Sequence, residues 1–315
     1  MDALTQFGIA IGRTSLRSLS RRRFVAMGLA AAALGTASMA RLVSAEETSM
    51  DAKTVTSKDG TRIAFDRWGD GPALVLVGGA LSTRVAWTPV AKLLAPHFTI
   101  FSYDRRGRGD SGDTTPYAVE REIEDLEAII DEAGGAAFVH GQSSGAVLSL
   151  KATARLTGKV QKLSLYEPPL IVDDSRPPPP MDFVSHIDNL IATDRRGEAV
   201  EYWMTDVVLA PPETVAQMKG DPSWPALEAV AHTLPYDIAV LGDGMEGKPA
   251  RAEQWVAVSV PTLVMDGGAS PQWIRTSARA LAGILPDAKQ QTLAKQVHNA
   301  APDILAPAIE RFFLG

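Results

Sequence analysis

The chain has 315 residues, 45% of them hydrophobic and 22% charged, with 26 Gly, 21 Pro and no Cys. That balance excludes wholesale disorder, and the missing cysteines exclude disulfides, thiolate zinc sites, iron–sulfur clusters and a cysteine nucleophile. Six of the 31 basic residues lie in 1–45 beside one acid, Asp2, which leaves 25 bases against 36 acids, a net charge of −11, in the remainder. An acidic body argues against nucleic acid or an anionic membrane as the main partner, and for a small-molecule substrate of little or no charge.

The first segment reads as an address. Ser20-Arg21-Arg22-Arg23-Phe24-Val25 opens an uncharged Ala/Gly-rich stretch that runs to Ala40, and Val43-Ser44-Ala45 supplies small residues for a signal peptidase. A basic region, a short apolar region and a small-residue cut site define an export signal. The paired arginines before Phe24 are similar to a twin-arginine signal, the route for folded cargo. The expectation is cleavage near Ala45 after handling by twin-arginine export machinery, with a periplasmic or secreted product that meets the membrane only through this segment. The apolar stretch of about 17 residues is at the bottom of the spanning range, so a retained anchor is the alternative.

From residue 46 onward, strands alternate with helices. Lys53–Ser57 and Thr61–Phe65 flank Lys58-Asp59-Gly60 as a hairpin. Ala73–Val77 is a continuous apolar run, as a strand buried on both faces requires. A helix over Val85–Leu94 and a strand over Phe98–Tyr103 follow, and the apolar stripe of Ile123, Leu126, Ile129 and Ile130 predicts an amphipathic helix over Val119–Ala133. Strand Ala136–His140, helix Gly145–Leu156 and strand Lys162–Tyr166 come next. The alternation resumes with strand Thr262–Met265, helix Trp273–Ala282, strand Gln290–Leu293 and a helix over Asp303–Phe313. Such a pattern demands a mostly parallel central sheet with helices on both faces.

Between about 170 and 251 the pattern breaks into proline-rich sequence with helical patches at Phe183–Ile191 and Glu198–Val208. This reads as a helical lid inserted after the sixth strand. Its Trp203, Met204, Met218, Trp224 and Met245 either line an apolar cavity or fill the lid's own core. Gly242–Gly247 followed by Lys248 imitates a phosphate loop, but Pro249 stands where Ser or Thr must ligate magnesium. The Arg105, Arg106 and Arg108 cluster, flanked by Asp104 and Asp110, is expected to form local ion pairs, and no compact metal-ligand spacing occurs.

The chemistry concentrates at Gly141-Gln142-Ser143-Ser144-Gly145, a G-x-S-x-G directly between a predicted strand and a predicted helix. A serine on a sharp strand-to-helix turn is held proud of its backbone, and flanking small residues let neighbouring chain pass. Ser143 is the candidate nucleophile. Among five histidines, His298 combines a late position with a loop-before-helix setting and is the candidate base; His140 closes the preceding strand and reads as buried support.

Four landmarks together resemble the α/β-hydrolase family: Gly78-Gly79-Ala80 after the first buried strand, Tyr103-Asp104-Arg105-Arg106-Gly107-Arg108-Gly109-Asp110-Ser111 after the next, the elbow, and Val297-His298-Asn299. The resemblance implies an oxyanion hole from the backbone N–H groups of Ala80 and Ser144, and chain order Ser, acid, His. Two features depart from it. Gly78 replaces the usual His, and Ser270 occupies the place after the seventh strand where the family's carboxylate is expected. Glu167, after the sixth strand in Tyr166-Glu167-Pro168-Pro169, and Asp266, at the tip of the seventh, are alternative triad acids, and both stay open. The implied activity is hydrolysis of an ester, thioester or lactone through an acyl-enzyme, without a cofactor. C–C bond hydrolysis, cofactor-free haloperoxidase or perhydrolase chemistry, and non-catalytic ligand binding on the same fold are the alternatives.

Overall fold

A computed structural model describes residues 53–246, 255 and 257–315. The export signal expected in 1–45 and the lid residues 247–254 lie outside the described residues.

Eight strands form one sheet in the order β1-β2-β4-β3-β5-β6-β7-β8. They are β1 (Lys53–Thr56), β2 (Arg62–Trp68), β3 (Ala73–Val77), β4 (Thr99–Tyr103), β5 (Ala137–Gln142), β6 (Val160–Tyr166), β7 (Thr262–Gly267) and β8 (Ala288–Leu293). β2 runs antiparallel to both β1 and β4, whereas every pairing from β4 through β8 is parallel. The apolar run of β3 has the explanation its sequence suggests. Val75 and Val77 point into one buried cluster while Leu74 and Leu76 point into the other, on the opposite sheet face.

Helices cover both faces: α1 (Thr88–Leu94), α2 (Val119–Glu132), α3 (Ser144–Arg155), and, after the lid, α9 (Gln272–Ile284) and α10 (Pro302–Leu314). The first expected helix is split, with a 3-10 turn at Arg84–Trp87 before α1, whose second residue is a proline. In the lid the structure has α4 (Phe183–Ala192), α5 (Arg196–Tyr202) running into a π turn at Trp203–Val207, α6 (Pro212–Lys219), α7 (Trp224–Val230) and α8 (Leu234–Leu241). The last three lie in the proline-rich stretch, outside the two helical patches that the sequence predicts. Their prolines sit in the first turn, where the missing N–H has no helical partner to lose. Trp203, Met204, Met218, Trp224 and Met245 are all buried and belong to the apolar cluster that also contains β3 and β5 side chains, so they fill a core shared with the sheet; Trp224 also borders a polar surface pocket with Arg196 and Glu228.

Strand order places the carboxyl ends of β3, β5 and β6 side by side, and the order in which strands are added reverses at β3, which has β4 on one flank and β5 on the other. Crevices of open α/β sheets form at such a reversal.

Candidate active site

The elbow serine follows β5 and precedes α3. Its backbone is left-handed, with φ 57° and ψ −130°, and its N–H donates to the Tyr166 carbonyl at 3.0 Å. That strain is carried by packing that only glycine allows. A Cβ on Gly145 would stand 2.6 Å from the Val77 carbonyl oxygen, and one on Gly141 2.8 Å from Ala146 Cα. Both contacts are with backbone and cannot relax by side-chain rotation. Gly79 approaches from β3: a Cβ there would lie 2.7 Å from Ser143 Cβ and 3.3 Å from its Oγ. The loop that carries Ala80 therefore passes directly beside the serine hydroxyl, and the Ser144 N–H opens helix α3, whose positive end favours developing negative charge.

His298 lies in the loop between β8 and α10. Its Nδ1 is 2.6 Å from Glu167 Oε2, and Glu167 Oε1 accepts the Gly267 N–H at 2.7 Å. Glu167 is fully buried and also left-handed, at φ 50°. Two side chains that sequence reasoning passed over hold this loop. Gln142 Nε2, on the residue before the serine, donates to the His298 carbonyl at 2.7 Å, and Tyr166 OH, on the residue before the glutamate, donates to the Val297 carbonyl at 2.6 Å. Their adjacency to the two candidate residues was the available signal. The partners lie more than a hundred positions away, which no local pattern reveals.

The structure separates the two candidate acids. Asp266 turns toward β8, where Gln290 Nε2 and Thr292 Oγ1 donate to its Oδ1 and Arg275 Nε lies 3.4 Å from its Oδ2. It does not meet His298. Ser270 is buried, and its hydroxyl has no partner among the described residues. Of the other histidines, His140 is fully buried with Nδ1 3.0 Å from Ser164 Oγ, and burial pushes its imidazole down to about 3. His97 is exposed beside Glu310, while His186 and His232 belong to the lid.

The arginine cluster also departs from expectation. Asp104 and Asp110 are engaged by Arg84, leaving Arg105 to pair with Glu122 and Asp237, Arg106 with Asp59 and Asp125, and Arg108 with Asp237. Asp237, on lid helix α8, is a partner of this cluster that the sequence did not disclose. Among the described residues no group of three His, Asp or Glu side chains is placed to hold a metal ion.

A family model described as "Alpha/beta hydrolase family" matches residues 74–305, and the chain belongs to that family. An alpha/beta hydrolase from Sphaerobacter thermophilus is 59% identical over 83% of this chain and all of its own, with a TM-score of 0.79. The N-formylmaleamate deformylase of Pseudomonas putida is 33% identical over 118 residues, which are 36% of this chain and 44% of that protein. The "Probable oxidoreductase EphD" of Mycobacterium tuberculosis is 40% identical over 93 residues, 28% of this chain. The match spans only 16% of EphD's length.

Proposed function

We propose that the protein hydrolyses a carboxylic ester, thioester or lactone through an acyl-enzyme on Ser143. His298 Nε2 takes the serine proton as Oγ attacks the carbonyl carbon, and Glu167 holds the opposite ring nitrogen and stabilises the imidazolium. The oxyanion is held by the N–H groups of Ala80 and Ser144. His298 returns the proton to the leaving alkoxide or thiolate, then activates water to release the acid and restore the serine. The observation that carries this reading is the 2.6 Å contact between His298 Nδ1 and a buried Glu167, in a loop that Gln142, the residue before the left-handed Ser143, grips through the His298 carbonyl. Each step is a proton or acyl transfer among these side chains and water.

Ser143→Ala is expected to lower p-nitrophenyl ester turnover by about 10^4-fold or more with the fold retained; an unchanged rate rules the assignment out. A fluorophosphonate probe separates an active serine, which labels, from a ligand-binding relic, which does not. The deformylase relative supports a second reading, cleavage of an N-formyl amide, which uses the same steps with a nitrogen leaving group. Parallel assays on an N-formyl amide and the matched ester decide between them.

The basic, alanine-rich segment 1–45 supports export by the twin-arginine route. N-terminal sequencing of the mature chain from the periplasm or medium tests this, with a start near residue 46 as the expected result.

A further inference from the structure

We propose that Asp237, on lid helix α8, is a positioning residue of the oxyanion hole that acts through Arg108 and Arg105. The inference rests on the acyl-transfer reading above and deepens it.

The Gly79 carbonyl and the Ala80 N–H belong to one rigid peptide plane and point in opposite directions. Whatever grips the carbonyl therefore aims the N–H. The Gly79 oxygen accepts two hydrogen bonds, from Arg108 Nη1 at 2.6 Å and from Ser82 Oγ at 2.9 Å. A buried cationic donor on the carbonyl also polarises the peptide and strengthens its N–H as a donor on the far side.

Arg108 is itself aimed from the lid: Asp237 Oδ2 accepts from Nη2 at 2.6 Å, and Thr233 Oγ1 accepts from Nε at 3.0 Å. The other carboxylate oxygen, Oδ1, accepts from Arg105 Nη1 at 2.7 Å and from Ser144 Oγ at 2.7 Å. Arg105 Nη1 also lies 3.4 Å from the Gly78 carbonyl and 3.4 Å from Ser144 Oγ, and its remaining edge is paired with Glu122 at 2.6 Å. One carboxylate thus holds both residues whose N–H groups form the proposed hole, Ala80 through Arg108 and Ser144 directly.

Arg105, Arg108, Ser144, Glu122 and Asp237 are all at most 2% exposed, so the bonds among them are shielded from bulk water. Two guanidiniums face two carboxylates, and neutralising Asp237 leaves a buried cation without its counterion. Burial alone would push the Asp237 carboxyl up, but the Arg108 and Arg105 guanidiniums beside it hold it below the usual carboxylate range.

The test compares the wild type with Asp237→Asn and Arg108→Lys. The readouts are kcat and KM on a p-nitrophenyl ester, and Ki for a trifluoromethyl ketone bearing the same acyl chain, whose hemiketal oxygen occupies the hole. Rates are normalised to the fraction of serine titrated by a fluorophosphonate, and folding is followed by urea denaturation. The expected result is a fall in kcat of about 10- to 100-fold with KM within about threefold, and a Ki that rises in parallel with the loss in kcat/KM. A merely structural role would lower the titratable fraction and the urea midpoint but leave the normalised kcat and Ki in place. Should Asp237→Asn fail to fold, Arg108→Lys, which keeps the charge and loses the fork, is read in its place. Folded variants with kcat and Ki within about twofold of wild type overturn the proposal alone. Failure of the wild type to react with the fluorophosphonate overturns the acyl-transfer reading and this inference with it.

Discussion

At the scale of single residues, the question the sequence left open was the acid. Glu167 and Asp266 both end parallel strands at the same sheet edge, and residue type and position cannot distinguish them. The side chain's direction distinguishes them, and it depends on backbone that no short pattern encodes. Glu167 adopts φ 50° after β6 and reaches His298, whereas Asp266 is still within β7 and satisfies its oxygens on β8 and Arg275. Glu167→Gln is expected to lower kcat by about 10^3- to 10^4-fold, because an amide can hold the wrong imidazole tautomer and cannot stabilise imidazolium. Asp266→Asn should leave kcat within about threefold and lower stability by about 1–3 kcal/mol, since Arg275 loses a buried partner. Steady-state rates and urea unfolding on the two variants check both halves. If neither change slows turnover, the triad reading is wrong.

At the scale of elements, legibility followed locality. Strands β3 and β5, helix α2 and the elbow were legible because each carries its signal within a dozen residues: an apolar run, a 3.6-residue stripe, a G-x-S-x-G. Helices α6 to α8 were missed because Pro212, Pro225 and Pro235 read as breakers where they are starters. The elbow's glycines offer the sharpest test at this scale. In Gly145→Ala the new methyl meets the Gly78 carbonyl oxygen at 2.5 Å, so β3 and α3 must move apart. The expected cost is about 1–3 kcal/mol of stability, measured by urea unfolding, with a loss of activity that exceeds it because Gly78 and Ser144 flank the proposed oxyanion hole. An alanine variant as stable and as active as the wild type would show that the turn has slack the structure does not suggest.

For the whole molecule, acid stability has a nameable contributor. His140 packs edge-on to Trp87, with ring centroids 5.3 Å apart, and its burial holds the imidazole at about 3. In the unfolded chain it titrates at about 6.5. Between those values the unfolded state carries the extra proton, so stability rises with pH across that window. The contribution is complete above about 6.5 and is lost as pH falls toward 3, at no more than about 1.4 kcal/mol per pH unit. Urea unfolding of the wild type and His140→Gln at several pH values between about 7.5 and 4.5 should give a shallower pH slope for the variant. Identical slopes would assign the acid sensitivity to other groups, the carboxylates and His232 among them.

Lid and sheet also share one apolar interior. Ile187, Leu190 and Val200 of the lid belong to the same buried cluster as Val75 and Val139 of the sheet. Swinging the lid's helices aside as a trapdoor would wet that entire seam, and Ser143 and His298 are already partly exposed with the helices in place, so substrate is expected to enter without that movement. Turnover of a sparingly soluble ester should therefore follow a single hyperbola through its saturation point, without the burst of activity that oil droplets provoke in enzymes whose cover lifts at an interface.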